Sequence, residues 1–202
     1  MKKSKKILIA ILFVSSLFLA FYSFNTNTCM RKAAHHPPNE TMNEYKRFKH
    51  TEDAMKEFGK YVPLPKDEPY LVECTFGEVT YADGEPVQFT HYVKHRMVEM
   101  DVRKGSKWEY NKQLSTGIYY YHVSKEPFEY SLETSELKDT KTVILDDGVE
   151  ALLRNYVMEW KDDRFYYRLY YRAGFRADTL TFLANSSRFN VTNLPEWVNE
   201  IK

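Results

Sequence analysis

The sequence predicts an α+β protein: an antiparallel β-sheet with an N-terminal helix and a C-terminal helix packed on it, preceded by one transmembrane or signal helix. Three observations predict this class. A lysine-rich start leads into a charge-free apolar run, strand-like segments with short turns follow one another from residue 70 onward, and helix-type spacing flanks those segments on both sides. Short turns favour antiparallel pairing over βαβ crossovers.

The N-terminal segment has the pattern of a membrane-targeting helix. Four lysines within the first six residues precede residues 7–24, which carry no charge. As a helix this run rises about 27 Å, close to the thickness of a bilayer core. The lysines favour a cytoplasmic N-terminus, so the rest of the chain is expected to be extracytoplasmic. No small-residue cleavage site follows Ala20, and an anchor over residues 1–24 is favoured over a cleaved signal peptide that would leave a secreted protein.

Residues 25–40 are predicted to be a linker, and residues 41–202 a single extracytoplasmic α+β domain. The adjacent pair His35 and His36 in the linker is expected to be solvated. The two cysteines, Cys29 and Cys74, are too few for a disulfide scaffold or a four-ligand zinc site. A bond between them is compatible with an extracytoplasmic compartment, but the sequence leaves open whether they pair.

The charge distribution argues against nucleic acid as a partner. The net charge of +1 combines a basic N-terminal region with an acidic body, because six of the basic side chains lie within the first 40 residues. A protein that binds phosphate backbones generally presents a basic face.

Helix signals flank the predicted sheet. Residues 41–44 form a capping-box pattern, after which aromatic and methionine side chains recur at helical spacing up to Phe58. A second helix start at Thr51 divides this region into two short helices in the alternative interpretation. Asp178 is a candidate N-cap for a helix through residues 180–184, and Asn193 for a last short helix.

The predicted strands are bounded by turn residues. Residues 82–86 form one turn, 146–148 another and 161–163 a third, and a tight reversal is expected near residues 94–96. The strands predicted between these turns cover residues 71–81, 87–92, 97–102, 118–123, 142–145, 149–153, 155–160 and 164–172.

No motif for catalysis, metal binding or a cofactor is present, and no catalytic residue, metal ligand or cofactor is predicted. His91, His95, Glu99 and Asp101 would share one face of an uninterrupted strand, as a metal cluster requires, but the expected reversal separates them. The sequence contains no nucleophile elbow, phosphate loop or paired histidine–glutamate zinc motif.

The tyrosine-rich strand carries the one candidate binding surface. Period-two alternation places Phe165, Tyr167, Leu169 and Tyr171 on one face, which is expected to be the core. The opposite face then carries Tyr166, Arg168, Tyr170 and Arg172. An aromatic–basic surface of this kind can hold a peptide, a glycan or an acidic headgroup. Cross-strand packing on a solvated face is the alternative interpretation.

Two stretches resemble a domain family of unknown function from extracytoplasmic parts of Gram-positive, often spore-forming, bacterial membrane proteins and lipoproteins. His50–Pro65 resembles the short helix and proline-punctuated entry of that family, and residues 143–185 resemble its C-terminal signature. The signature elements are Gly148, Ala151, Met158-Glu159-Trp160, the aromatic strand from Phe165 to Tyr171, and the helix from Thr179 to Ala184. Residues 103–141 depart from the pattern. The resemblance implies a membrane-associated accessory role and no particular functional residue.

Together these observations predict a single-pass protein of a Gram-positive cell membrane whose extracytoplasmic domain binds, senses or serves as an accessory; they favour a non-enzymatic role and leave enzymatic activity open. The expected partners are the lipid bilayer, through residues 7–24, and an envelope protein, a peptide or an apolar ligand held between sheet and helices. An envelope hydrolase without a visible motif and a structural subunit of a membrane complex remain open alternatives. The ligand and the oligomeric state are also open.

Overall fold

A computed structural model describes residue 16 and residues 27–65, 71–98, 102–104, 107–109, 114–133, 139–172 and 177–188. Its centre is a single eight-stranded antiparallel sheet with strand order β1-β2-β3-β6-β10-β9-β8-β7. A separate two-stranded hairpin, β4 with β5, lies between β3 and β6 in the chain. The elements are β1 (Glu44–Phe48), α1 (Thr51–Phe58), β2 (Leu71–Ala82), β3 (Glu85–Val98), β4 (Val102–Lys104), β5 (Lys107–Glu109), β6 (Leu114–Ser124), β7 (Lys141–Ile144), β8 (Glu150–Arg154), β9 (Val157–Lys161), β10 (Tyr166–Arg172) and α2 (Ala177–Arg188).

The predicted α+β class is wrong. One eight-stranded sheet dominates the described chain, and the two helices packed on it have only 8 and 12 residues. The predicted spanning segment, residues 7–24, lies outside the described residues apart from residue 16. No helix in the described ranges has both the length and the apolar character that crossing a bilayer requires. The predicted helix after Asn193 also lies outside the described residues.

The first predicted helix is replaced by an edge strand. Tyr45 and Phe48 are three residues apart, which suits a helix, but in the structure they belong to β1 and pair with Thr80 and Gly77 of β2. Only the second start is realised, because α1 begins at Thr51. Aromatic side chains at this spacing fit one face of a helix or the two faces of a strand, and the edge of β2 decides between them.

The predicted reversal at residues 94–96 is also wrong, because β3 runs without interruption from residue 85 to 98. The basic residues that suggested a turn have other roles. Lys94 forms an ion pair with Glu73 of the neighbouring strand at 2.8 Å, and His95 is fully buried. His91 and His95 therefore do share a face, as an uninterrupted strand requires, but that face is the core. Glu99 and Asp101 lie outside the described residues.

The sheet buries its odd-numbered side chains in β2, β3, β6 and β10 against both helices. The confirmed alternation of β10 contributes Tyr167, Leu169 and Tyr171 to this core, with Phe165 just before the strand. Helix α1 approaches β2 closely at Gly77, where an added Cβ would lie 2.4 Å from the Cβ of Ala54. The core is continuous from α1 to α2, so the opposite face of the sheet is the one left for other contacts.

His95 gives the fold a defined sensitivity to acid. Its Nε2 atom hydrogen-bonds the Tyr171 hydroxyl in the core, in a space that exists because residue 117 is glycine. Burial lowers the pKa of His95 to about 4, from the ordinary value near 6.5, although Glu73 opposes the change. Between about pH 6.5 and pH 4 the unfolded chain binds a proton at His95 that the folded chain does not. The free energy of unfolding is therefore highest above about pH 6.5 and falls toward pH 4.

We expect the wild-type chain to lose about 3 kcal/mol more unfolding free energy than His95→Gln between pH 7 and pH 4. Urea unfolding at several pH values measures this difference. The exposed residue His50 provides the control, and His50→Gln should follow the wild-type curve. Parallel curves for wild type and His95→Gln would contradict this account of the core histidine.

Candidate functional site

The face of the sheet opposite the helices is unusually polar for a covered surface. We call it the polar face, and it consists of the even-numbered side chains in the central strands β2, β3, β6 and β10. Several of its polar side chains are at most 3% exposed: Glu78, Thr80, Gln88, Thr90, His122 and Ser124. Buried polar groups carry a free-energy cost unless they are hydrogen-bonded, so this face must be organised by specific partners.

The predicted linker supplies the first cover. Residues 27–40, which we call the strap, begin with a helical segment at 27–32 and lie on the polar face. A disulfide joins Cys29 to Cys74 of β2 and settles the pairing that the sequence left open. Arg47 of β1 donates hydrogen bonds to the backbone carbonyls of Met30 and Ala33, the second at 2.9 Å. The strap is thus fixed covalently and by hydrogen bonds.

A buried carboxylate links the strap to the sheet. Glu78 Oε2 accepts a hydrogen bond from Arg47 Nε at 2.7 Å, and Glu78 Oε1 lies 2.6 Å from His35 Nδ1. The other ring nitrogen of His35 faces the Met42 carbonyl at 3.2 Å. Both ring nitrogens therefore face acceptors, and the imidazolium form donates to both. His35 also stacks on Tyr45, with ring centroids 4.1 Å apart.

His36 turns inward from the same strap. Its ring packs edge-on against Tyr120 at 4.6 Å and lies 5.8 Å from the ring of Tyr170. Its backbone carbonyl accepts a hydrogen bond from Gln88 Nε2 at 2.8 Å. The expectation of a solvated histidine pair is therefore not met in the structure, since one histidine binds Glu78 and the other covers the aromatic residues of the sheet.

The second cover follows from the topology. The chain leaves β6 at the centre of the sheet and must reach β7 at its far edge, so residues 125–133 cross the polar face; we call them the Phe128 loop. Residues 134–138 of this connection lie outside the described residues. The strap and the loop meet, because the Glu129 amide donates to the Pro38 carbonyl at 2.9 Å.

Arg168 and Glu159 hold the Phe128 loop. Arg168 Nε donates to Glu159 Oε1 at 2.6 Å, and its Nη2 donates to the Tyr130 carbonyl at 2.8 Å. The guanidinium also lies over the Phe128 ring at 4.1 Å. Glu159 Oε2 accepts hydrogen bonds from Ser131 Oγ and the Leu132 amide, both at 2.8 Å. Both carboxylate oxygens are therefore occupied by donors of the same chain.

Between the two covers lies a cavity of about 220 Å³, which we call the His122 cavity. It combines aromatic, aliphatic and ionisable side chains from the strap, the loop and three strands. Its lining residues are His36, His122, Phe128, Tyr130, Leu132, Val157, Glu159, Arg168 and Tyr170. A second cavity of about 250 Å³ adjoins it beyond Phe128 and Glu159, toward Leu152 and Tyr166.

A chain of hydrogen bonds favours one tautomer of His122. Gln88 Nε2 donates to Thr90 Oγ1 at 3.1 Å, and Thr90 Oγ1 lies 3.0 Å from His122 Nδ1. Burial, reinforced by His36, Arg168 and His35, lowers the pKa of His122 well below its ordinary value. A neutral His122 that accepts the Thr90 hydroxyl proton at Nδ1 carries its own proton on Nε2. With its proton on Nδ1 instead, His122 could not accept a hydrogen bond from the buried Thr90 hydroxyl.

The structure brings only part of the predicted binding surface (Tyr166, Arg168, Tyr170 and Arg172) to the His122 cavity. Arg168 and Tyr170 line the His122 cavity, whereas Tyr166 lines the adjoining one. In register, Arg168 pairs with His122 and Tyr170 with Tyr120. The backbone of Arg172 pairs with Ile118, but its side chain lies outside what the structure describes. Arg168 is a loop anchor rather than an exposed basic group.

Sequence reasoning missed His36, His122, Phe128 and Glu159. For His122 a signal existed, because alternation in the strand predicted for residues 118–123 places it on the same face as Tyr120. For Glu159 and Phe128 no local pattern distinguishes a partner of Arg168 from a surface residue. Pairing between distant strands and a crossing loop brings these groups together.

The arrangement suits binding better than hydrolysis. Glu159 is fully engaged by donors, so it is poorly placed to act as a general base. Buried Thr90 contacts His122, but the hydroxyl groups that line the cavity belong to tyrosines. In the described part of the chain, no group of three or more histidine, cysteine or acidic side chains could hold a metal ion.

Comparison of the chain with protein-family models, with characterised proteins and with solved structures finds no match. The functional inference therefore comes from the geometry of the site.

Arg168→Lys is expected to release the Phe128 loop without unfolding the sheet. A lysine cannot donate to Glu159 and the Tyr130 carbonyl while lying flat on Phe128, so about 2 kcal/mol of local stability should be lost. Hydrogen exchange of the Leu132 amide should then accelerate at least about tenfold.

Arg164→Lys is the matched control, because the Arg164 side chain is 61% exposed, pairs with Asp162 at 3.4 Å and lies over the Phe165 ring at 5.8 Å. Its effect on Leu132 exchange should stay within about twofold. Equal rates in the two variants would contradict the anchoring role of Arg168.

Proposed function

We propose that this protein is a membrane-anchored, extracytoplasmic binding protein that holds a small ligand in the His122 cavity. The observation that carries the proposal is a preformed cavity between the polar face, the strap and the Phe128 loop. Aromatic and aliphatic walls with a few converging polar groups are typical of small-molecule sites. A volume of about 220 Å³ is below the roughly 300–1,000 Å³ of drug-sized sites, so the ligand is expected to be fragment-sized.

The placement outside the cytoplasm is supported by two independent features. The lysine-rich, then charge-free N-terminal run has the pattern of an anchor with a cytoplasmic N-terminus. Both cysteines of the chain are joined in one disulfide, a bond that persists in oxidising compartments. Association with the extracytoplasmic Gram-positive domain family that the sequence resembles is part of the same proposal.

The position of the cavity favours a role in sensing the ligand over a role in merely storing it. Its roof residue His36 lies in the strap, which directly follows the proposed anchor, and its floor is the central strands β6 and β10. A ligand in contact with both would change the stability with which the strap is docked. Ligand occupancy could thereby be communicated to the segment that enters the membrane.

Filling the cavity tests the proposal. Val157→Trp places a large side chain in the cavity lining. Ile144→Trp is the control, because it introduces the same side chain outside the cavity, at a residue of the edge strand β7 that is 58% exposed. The purified full-length chain is screened by ligand-detected NMR with small anionic, neutral and cationic fragments. Circular dichroism verifies that each variant is folded, and Leu132→Phe serves as a second cavity-filling variant.

We expect saturable fragment binding to wild type and Ile144→Trp, and its loss in Val157→Trp and Leu132→Phe. Alkylation of the same preparation under denaturing conditions without reductant checks the disulfide, and it should detect no free thiol. Absence of fragment binding to the wild type, or binding that persists in both filled variants, would reject the cavity as the functional site.

A further inference from the structure

The polar groups of the His122 cavity that remain open to a ligand are hydrogen-bond donors. His122 uses Nδ1 for the Thr90 contact, which leaves the Nε2–H group for the cavity that its ring lines. Arg168 uses Nε and Nη2 for the chain's own acceptors, and a guanidinium has five N–H bonds, so the remaining ones can serve a ligand. Tyr170 also lines the cavity, and its phenol can donate a hydrogen bond as well as accept one.

The one carboxylate at the cavity does not offset these donors. Both oxygens of Glu159 already accept hydrogen bonds, from Arg168 on one side and from Ser131 and Leu132 on the other. The Arg168 guanidinium is paired with this carboxylate but keeps N–H groups that the pair does not use. A cationic ligand would therefore find both Glu159 oxygens occupied and would meet N–H donors in place of a free acceptor.

The walls define the rest of the ligand. His36 and Tyr170 provide ring surfaces 5.8 Å apart, and Val157 and Leu132 provide aliphatic surface. Such walls favour a flat or compact apolar body over a flexible polar chain. The donors and the walls together describe an amphipathic molecule with an acceptor-rich anionic end.

We infer that the His122 cavity binds a small organic carboxylate whose charged end meets His122, Arg168 and Tyr170 and whose flat apolar body lies against His36, Val157 and Leu132. This inference rests on the proposed binding function and specifies its ligand class. A carboxylate can accept hydrogen bonds from imidazole, guanidinium and phenol at once, and charge-assisted bonds of this type are the strong ones.

Three nearly isosteric probes separate charge from shape: benzoate, benzamide and benzamidinium. Their affinities for the full-length chain are measured by NMR titration at constant ionic strength. Benzoate should bind at least about tenfold more tightly than benzamide, since hydrogen bonds to a charged group contribute more than neutral ones. Benzamidinium should show no saturable binding.

Variants assign the effect to the cavity. His122→Phe and, independently, Tyr170→Phe each remove one donor and should weaken benzoate binding about fivefold or more, with a smaller effect on benzamide. Lys141→Gln removes an exposed cation on the far edge strand and should leave the benzoate affinity unchanged. Val157→Trp should abolish benzoate binding.

The outcomes distinguish the two levels of the proposal. Benzamide or benzamidinium binding as tightly as benzoate would overturn the carboxylate assignment while leaving a binding cavity in place. Benzoate binding that persists in Val157→Trp, or that falls equally in Lys141→Gln, would show binding outside the cavity and would also overturn the assignment. Absence of binding by any probe or fragment would reject the proposed function itself.

Discussion

The buried carboxylate of Glu78 is the interaction on which the rest of this architecture depends. It lies on the polar face of β2 and is shared by Arg47 of the edge strand and His35 of the strap. A buried charge is tolerated only when its partners are in place, so departure of the strap would remove one of the two partners of a buried anion and leave it with Arg47 alone. The disulfide holds the strap nearby, but Glu78 determines how it docks.

Docking of the strap has consequences at the other end of the polar face. It sets His36 over Tyr120 and places the His36 carbonyl where Gln88 donates to it, and Gln88 then orients Thr90 toward His122. The Phe128 loop closes the other side of the His122 cavity, because the chain must cross the polar face to pass from β6 to β7. The cavity thus results from this strand order and from a series of side-chain contacts, each within hydrogen-bonding or ring-contact distance.

Features that depend on local alternation of side chains could be predicted from the sequence. Features that depend on pairing between distant segments could not. The two faces of β10 followed from period two, whereas the spacing of Tyr45 and Phe48 suggested a helix and the free edge of β2 made a strand. The strap looked like a solvated linker, because no local signal shows that His35 meets a carboxylate 43 residues away. Arg168 was correctly placed on the polar face, but its partner Glu159 depends on the β9–β10 register.

The most direct test of this account is whether Glu78 holds the strap over the cavity. Nuclear Overhauser contacts between the rings of His36 and Tyr120, whose centroids lie 4.6 Å apart, report the docked strap in the full-length chain. We predict that these contacts are present in wild type and in Glu57→Gln, an acidic-side-chain control whose partners are Lys46 and Tyr81, and are lost in Glu78→Gln. Retention of the contacts in Glu78→Gln would contradict the account.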